Sequence, residues 1–184
     1  RVVELGTSVA APYAAWTLAQ LGAEVIKVEP PDRGDDARHW GKMLPDGSSS
    51  YFNALNRDKF GITVDLKDTA DLKWLREFCV TEVDVIIQNM RPGRVDSYGL
   101  GAADLTSANP RLVYCNLWAF GSKGPLRDNP GYDPLMQACG GIMSITGNEG
   151  EAPIRVGTSI VDMGTGLWCV IGILNALNAR KDSG

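Results

Sequence analysis

The sequence predicts an α/β fold, an open, mostly parallel sheet with helices on both faces. Three observations predict it. Short runs of apolar and β-branched residues (VVEL, EVIKVE, VDVIIQN, RLVYCNL) alternate with segments of helical period. The run at 83–89 is strongly apolar, as a strand covered on both faces must be. With 184 residues, 44% of them hydrophobic, the chain can bury one substantial core and is too short for two.

Val2 to Leu5 reads as the first strand and stops at Gly6. Pro12 to Leu21 follows as a helix with Pro near its first turn and Gly22 at its end. Glu24 to Glu29 is a second strand closed by Pro30 and Pro31, completing a β-α-β unit. Residues 32–58 carry Gly, Asp, Ser and Pro without clear periodicity and predict a long surface excursion, with a helical turn at Tyr51 to Leu55. Alternation resumes with a strand at Gly61 to Leu66. An amphipathic helix follows from Thr69 to Cys79, burying Leu72, Leu75, Phe78 and Cys79. Strands at Val83 to Asn89 and Arg111 to Leu117 come next. The last helix, Gly164 to Arg180, is apolar nearly all round and is expected to be buried. Ligands of such a sheet bind at the carboxyl ends of its strands.

Composition narrows the chemistry. Eighteen Lys and Arg against 22 Asp and Glu give a net charge of -4, so no global field recommends nucleic acid or an anionic membrane as partner. No apolar run approaches the roughly 20 residues of a membrane span, and RVVELG is not a signal sequence, so a soluble, cytoplasmic chain is expected. Cys79, Cys115, Cys139 and Cys169 are widely spaced in apolar surroundings and read as buried reduced thiols, without disulfide or metal spacing. The single histidine, His39, reads as a surface residue; it rules out a multi-histidine metal site. Arg1 leads straight into a strand and a helix runs to Lys181, so the chain is expected to be the N-terminal part of something longer.

Three features can carry chemistry. The first turn, Gly6 to Pro12, has one glycine where a dinucleotide fingerprint has three, and there is no phosphate-binding GxxxxGK[ST] loop. NAD and FAD are therefore not expected. Asn89-Met90-Arg91-Pro92-Gly93 closes a buried strand at the ligand edge, where Arg91 beside exposed amides suits a phosphate or carboxylate; a plain Pro-Gly loop explains it equally. The segment Gly131 to Gly166 combines Tyr132, Asp133 and Asp162, the last between a strand-like stretch and the final helix. Asp162 reads as an N-cap of that helix, as a partly desolvated carboxylate nucleophile, or as both.

Several segments, in order, resemble the family III CoA-transferases: VVELGTSVAAPYAAWTLAQLGAEVIKVEPP, RGDDAR, NRDKFGITVDLK, QNMRPG, NPRLVYCNLWAFGSKGP, GYDPLMQACGGIMSITG and SIVDMGTG. The resemblance implies a Rossmann-like sheet in which residues 1–184 are the N-terminal part of the large CoA-binding and catalytic domain. It further implies a homodimer of interlocked full-length chains. It places Asp162 as the catalytic aspartate, which attacks an acyl-CoA thioester, gives an aspartyl mixed anhydride and CoA thiolate, and is then attacked by that thiolate. Tyr132 and Asp133 accompany it. Ser8, Arg38, Lys67, Asn89, Met90 and Arg91 fall on the positions that line coenzyme A, with acyl-CoA and a small carboxylic acid as substrates.

Departures from the family pattern refine this. Formyl-CoA transferases carry Gln where Val9 stands, which disfavours a formyl substrate. Racemases of 2-methylacyl-CoA thioesters, the alternative on the same fold, use His where this chain has Tyr132, so the resemblance favours transfer. The family's glycine-rich loop falls outside these residues. A third possibility is a nucleotide-binding or purely structural module.

Overall fold

Residues 1–183 are described by a computed structural model. Strands β1 (Val2–Glu4), β2 (Val25–Glu29), β3 (Phe60–Thr63), β4 (Val85–Gln88) and β5 (Val113–Asn116) form one parallel sheet in the order β3-β2-β1-β4-β5. Val3 registers with Ile26 on one side and Ile86 on the other. The chain winds outward from β1 through β2 to β3, then returns to place β4 on the other side of β1. Winding direction therefore reverses between β1 and β4, where the loops leaving the strands splay and open a crevice.

Helix α1 (Ala10–Gln20) begins two residues before the predicted Pro12, which occupies its first turn, where a missing N–H leaves no bond unmade. Ser49 caps α2 (Ser50–Asn56), so the predicted turn at 51–55 is a helix, held by the Ser49 hydroxyl accepting from the amides of Tyr51 and Phe52. Asp68 caps α3 (Thr69–Thr81) in the same way through Ala70 and Asp71. The short α4 (Ala102–Ala108) and α5 (Asp133–Cys139) have too few residues to show a period in sequence. The final helix, α6 (Ile160–Ser183), starts four residues earlier than predicted, and among the described residues the strand-like stretch expected just before it is irregular chain.

Side chains alternate across the sheet. Ile86 joins Val3, Leu75, Cys79, Leu100 and Leu105 on one face, whereas Val85 and Ile87 join Ala11, Ala14, Val170 and Ile173 on the other. Leu75 is completely buried, so Leu75→Ala in the full-length protein is expected to cost about 2–5 kcal/mol in chemical denaturation. Burial pushes the Cys79 thiol up to about 12, consistent with packing. Cys115 and Cys169 are half-buried and Cys139 is exposed, against the expectation that all four lie in the core.

α6 also departs from expectation. Only part of it packs on α1 and the sheet, through Gly166, Val170 and Ile173, while Leu167, Trp168, Ile171 and Leu174 face outward. A Cβ on Gly166 would lie 3.0 Å from the Ala10 carbonyl oxygen and 3.0 Å from the Tyr13 ring, so the two helices touch backbone to backbone. Ile160–Lys181, 22 residues, is long and apolar enough by length and composition to cross a membrane, against the expectation that no run approaches a span; Asp162 and three glycines interrupt its apolar pattern in the sequence. Here it lies docked along α1.

Candidate active site

The crevice between β1 and β4 is a cavity of about 250 Å³. Thr7, Ser8 and Val9 line it from the β1–α1 turn, Asn89, Met90 and Arg91 from the end of β4, and Tyr132, Asp162 and Thr165 from the α5 and α6 starts. Six of the nine predicted site residues thus converge, from segments far apart in the chain. The other three do not line the cavity: Asp133 is buried beneath it, and Arg38 and Lys67 lie outside it.

The walls are tied by backbone groups. Asn89 accepts from the Thr7 amide through Oδ1 at 2.9 Å and donates to the Thr7 carbonyl through Nδ2 at 2.8 Å, locking the two loops together. Gly6 is required beneath this pair, because a Cβ there would meet the Ala11 methyl at 2.2 Å. Buried Gln88 accepts from the Met90 amide at 2.7 Å and donates to Asn116, while the Trp118 indole donates to the Met90 carbonyl at 2.9 Å. With its amide spent on Thr7, Asn89 acts on the cavity as a brace.

Asp162 does not cap its helix from outside, as predicted; it sits within the first turn of α6. The capping group is Asp133, 3% exposed, whose Oδ2 accepts from the amides of Val161 at 2.7 Å and Asp162 at 3.1 Å. Asp133 Oδ1 in turn accepts from Gln137, which is completely buried and takes the Val156 amide on its own Oε1 at 2.8 Å. The Asp133–Gln137 pair therefore pins the irregular segment leading into α6. Burial, with the neighbouring Asp133 charge, pushes the Asp162 carboxyl up to about 6. At neutral pH it remains about nine-tenths ionised while poorly solvated, the state of an effective carboxylate nucleophile.

Positive charge at the cavity comes from Arg91 and from Arg127, the latter beside Asp128 at 3.2 Å on the surface. Arg127 and Trp118 were missed in sequence because both lie in an irregular stretch with no period. Arg38 is committed to Glu29, donating from Nε at 2.8 Å and from a terminal nitrogen at 2.6 Å, and it stacks over Phe52 at 3.7 Å. It lines a second cleft, with Glu29, Pro30, Arg33 and Thr63, at the ends of β2 and β3. Lys67 is exposed past the end of β3, and His39 is exposed as expected.

An α/β sheet with a carboxylate, two guanidiniums and a braced loop at its switch point has the donor set to hold an anionic ligand at its carboxyl edge. The family model for CoA-transferase family III matches residues 1–184, and the chain belongs to that family. It is 38% identical over 184 residues to a succinyl-CoA:glutarate CoA-transferase of Mus musculus, covering 100% of this chain and 42% of that one. It is 41% identical to a succinyl-CoA--D-citramalate CoA-transferase of Chloroflexus aurantiacus, covering 100% and 46%. A crystal structure of a CAIB/BAIF family protein from Brucella suis superposes with a TM-score of 0.94 at 41% identity, covering 100% of this chain and 49% of that chain. The chain spans less than half the length of these relatives.

Proposed function

We propose that the protein to which these residues belong transfers coenzyme A from an acyl-CoA thioester to a free carboxylic acid, with Asp162 as the acyl carrier. The observation that carries this reading is the Asp162 carboxylate itself, desolvated, anionic at neutral pH and open to a cavity. Its oxygen attacks the thioester carbonyl, the C–S bond breaks, and CoA leaves as thiolate with the mixed anhydride left on Asp162. The thiolate then attacks the aspartyl carbonyl, releasing the donor acid, and the acceptor acid reverses both steps. No proton need be exchanged, in keeping with a site that has no histidine on its walls.

Coenzyme A is assigned to the carboxyl edge of the sheet, its thioester against Asp162 and its chain passing Ser8, Asn89, Met90 and Arg91. The second cleft, where Arg38 keeps N–H donors beyond those given to Glu29, suits the phosphorylated end, with Lys67 further out. The names of the relatives support transfer over racemisation, and their acceptors, glutarate and D-citramalate, are dicarboxylic acids. A cavity of this size with two guanidiniums suits an acid of that class.

The test uses the full-length protein with succinyl-CoA and then hydroxylamine. The expected product is a hydroxamate at Asp162, found by peptide mass spectrometry. Transfer of CoA by an Asp162→Ala protein would sink the assignment.

A further inference from the structure

Beneath the site lies a cluster of charges that are almost wholly buried. Glu4 is 0% exposed, Lys27 2% and Lys59 2% by side chain. The Lys59 ammonium donates to Glu4 Oε2 at 2.7 Å, to the Pro12 carbonyl at 2.9 Å and to Asn56 Oδ1 at 2.8 Å. Lys27 Nζ donates to Glu4 Oε1 at 2.7 Å and to the Gly6 carbonyl at 3.0 Å, and lies 2.8 Å from Asp35 Oδ2. Asp35 Oδ1 then accepts from the Ser8 amide at 2.8 Å. Burial opposes the Lys27 charge, but Glu4 and Asp35 overcome it and hold its pKa above the ordinary lysine value.

This network grips the β1–α1 turn at two backbone groups, Lys27 taking the Gly6 carbonyl and Asp35 the Ser8 amide, and grips the first turn of α1 through Lys59 on the Pro12 carbonyl. Ser8 needs gripping: its φ of 71° lies in the left-handed region, which a serine adopts only when its surroundings impose it. A set of apolar side chains would fill the same space at no electrostatic cost, so the buried charges are not explained by stability alone. What they secure is the wall of the cavity that Asp162 shares.

Taking Asp162 as the acyl carrier, we propose that Lys59 is a positioning residue: its three N–H donors, to Glu4, Asn56 and the Pro12 carbonyl, anchor the Glu4–Lys27–Asp35 network that holds the Thr7–Ser8 turn in place for CoA transfer. It does not line the cavity, so its effect on the substrate passes through the turn. The groups facing its ammonium are Glu4 from β1, Lys27 from β2, Asp35 from the following loop and Asn56 from α2. Burial, followed by the Lys27 charge against the pull of Glu4, brings the Lys59 pKa down to about 8. Above that pH a neutral amine has two N–H donors for three acceptors, and the grip weakens.

The experiment measures kcat/KM of the full-length protein with succinyl-CoA and glutarate from pH 6 to 9.5, beside hydrogen exchange of the peptide spanning residues 5–11. In the wild type, kcat/KM is expected to fall about 10-fold as pH rises through about 8. Lys59→Gln keeps two N–H donors without the charge, so it should show the lower value already at pH 7 and no limb near 8. Lys59→Met, with no donor, should fall about 10-fold further, and exchange at the turn should quicken in the same order. A Lys59→Gln protein with wild-type kcat/KM and an unchanged alkaline limb would overturn the proposal. If the wild type shows no transfer, the Asp162 reading has failed, and the turn decides the matter alone: unchanged exchange in Lys59→Gln overturns the positioning role.

Discussion

Asp162→Asn in the full-length protein is expected to lower kcat for CoA transfer by about 10⁴-fold or more while making the fold more stable at neutral pH. The first effect follows from chemistry: an amide of the same shape cannot displace CoA from a thioester. The helix start is untouched, because Asp133 binds the backbone amides of residues 161 and 162. The second effect follows from linkage. The Asp162 pKa stands at about 6 in the fold, against 3.8 for the ordinary group, so between those values the native state binds more protons than the unfolded chain. Stability therefore falls as pH rises through that window, and at pH 7 the ionised carboxylate is a net cost. Discounted for its partial exposure to solvent, the gain on removing it is about 1–2 kcal/mol. Denaturation curves at pH 4 and pH 7 check this: the advantage of Asp162→Asn should be present at pH 7 and shrink towards pH 4.

Asp133→Ala is expected to lower kcat by about 100-fold through misplacement of a nucleophile that it does not touch with its own chemistry. Without the carboxylate, the amides of Val161 and Asp162 and the Gln137 side chain all lose an acceptor in a buried place. Each orphaned donor costs about 1–3 kcal/mol where the structure cannot relax to water. The pH profile carries the separate electrostatic signature: with the Asp133 charge gone, the acid limb of kcat/KM should move down from about 6 towards the ordinary carboxylate value. Asp133→Asn does not rescue fully. An oxygen can still accept from the helix start, but its NH₂ then faces the Gln137 NH₂, and Gln137 cannot turn over because its oxygen holds the Val156 amide. An unchanged acid limb in Asp133→Ala would assign the raised pKa to burial alone.

What could be read from the sequence was local. Val2 to Glu29 gives strand, helix and strand because each period completes itself within a few residues, and the apolar 83–89 run declares a covered strand in the same way. The failures share a non-local cause. Asp162 reads as an N-cap in sequence because Asp precedes an apolar run, but the residue that performs that role lies 29 positions earlier, at the start of another helix. Arg38, which the resemblance places along coenzyme A, gives two of its donors to Glu29, nine residues earlier in the chain. Lys27 within EVIKVE and Lys59 within NRDKFG look like outward-facing lysines, and only the meeting of β1, β2 and α2 shows them turned inward on Glu4. The apolar circumference of α6 predicted a covered helix, whereas within these residues only one side is covered.

The contact at Gly166 bears on more than packing. Asp162 and Gly166 stand one helical turn apart on the same face, so how far the carboxylate reaches over the crevice depends on the thickness of whatever separates α6 from α1. At present that thickness is a single hydrogen atom. A methyl group at position 166 would act as a shim under the helix, pressing on the Ala10 carbonyl and the Tyr13 ring and lifting Asp162 relative to Ser8. Reach over the crevice is thus adjustable at a position that does not itself line the cavity.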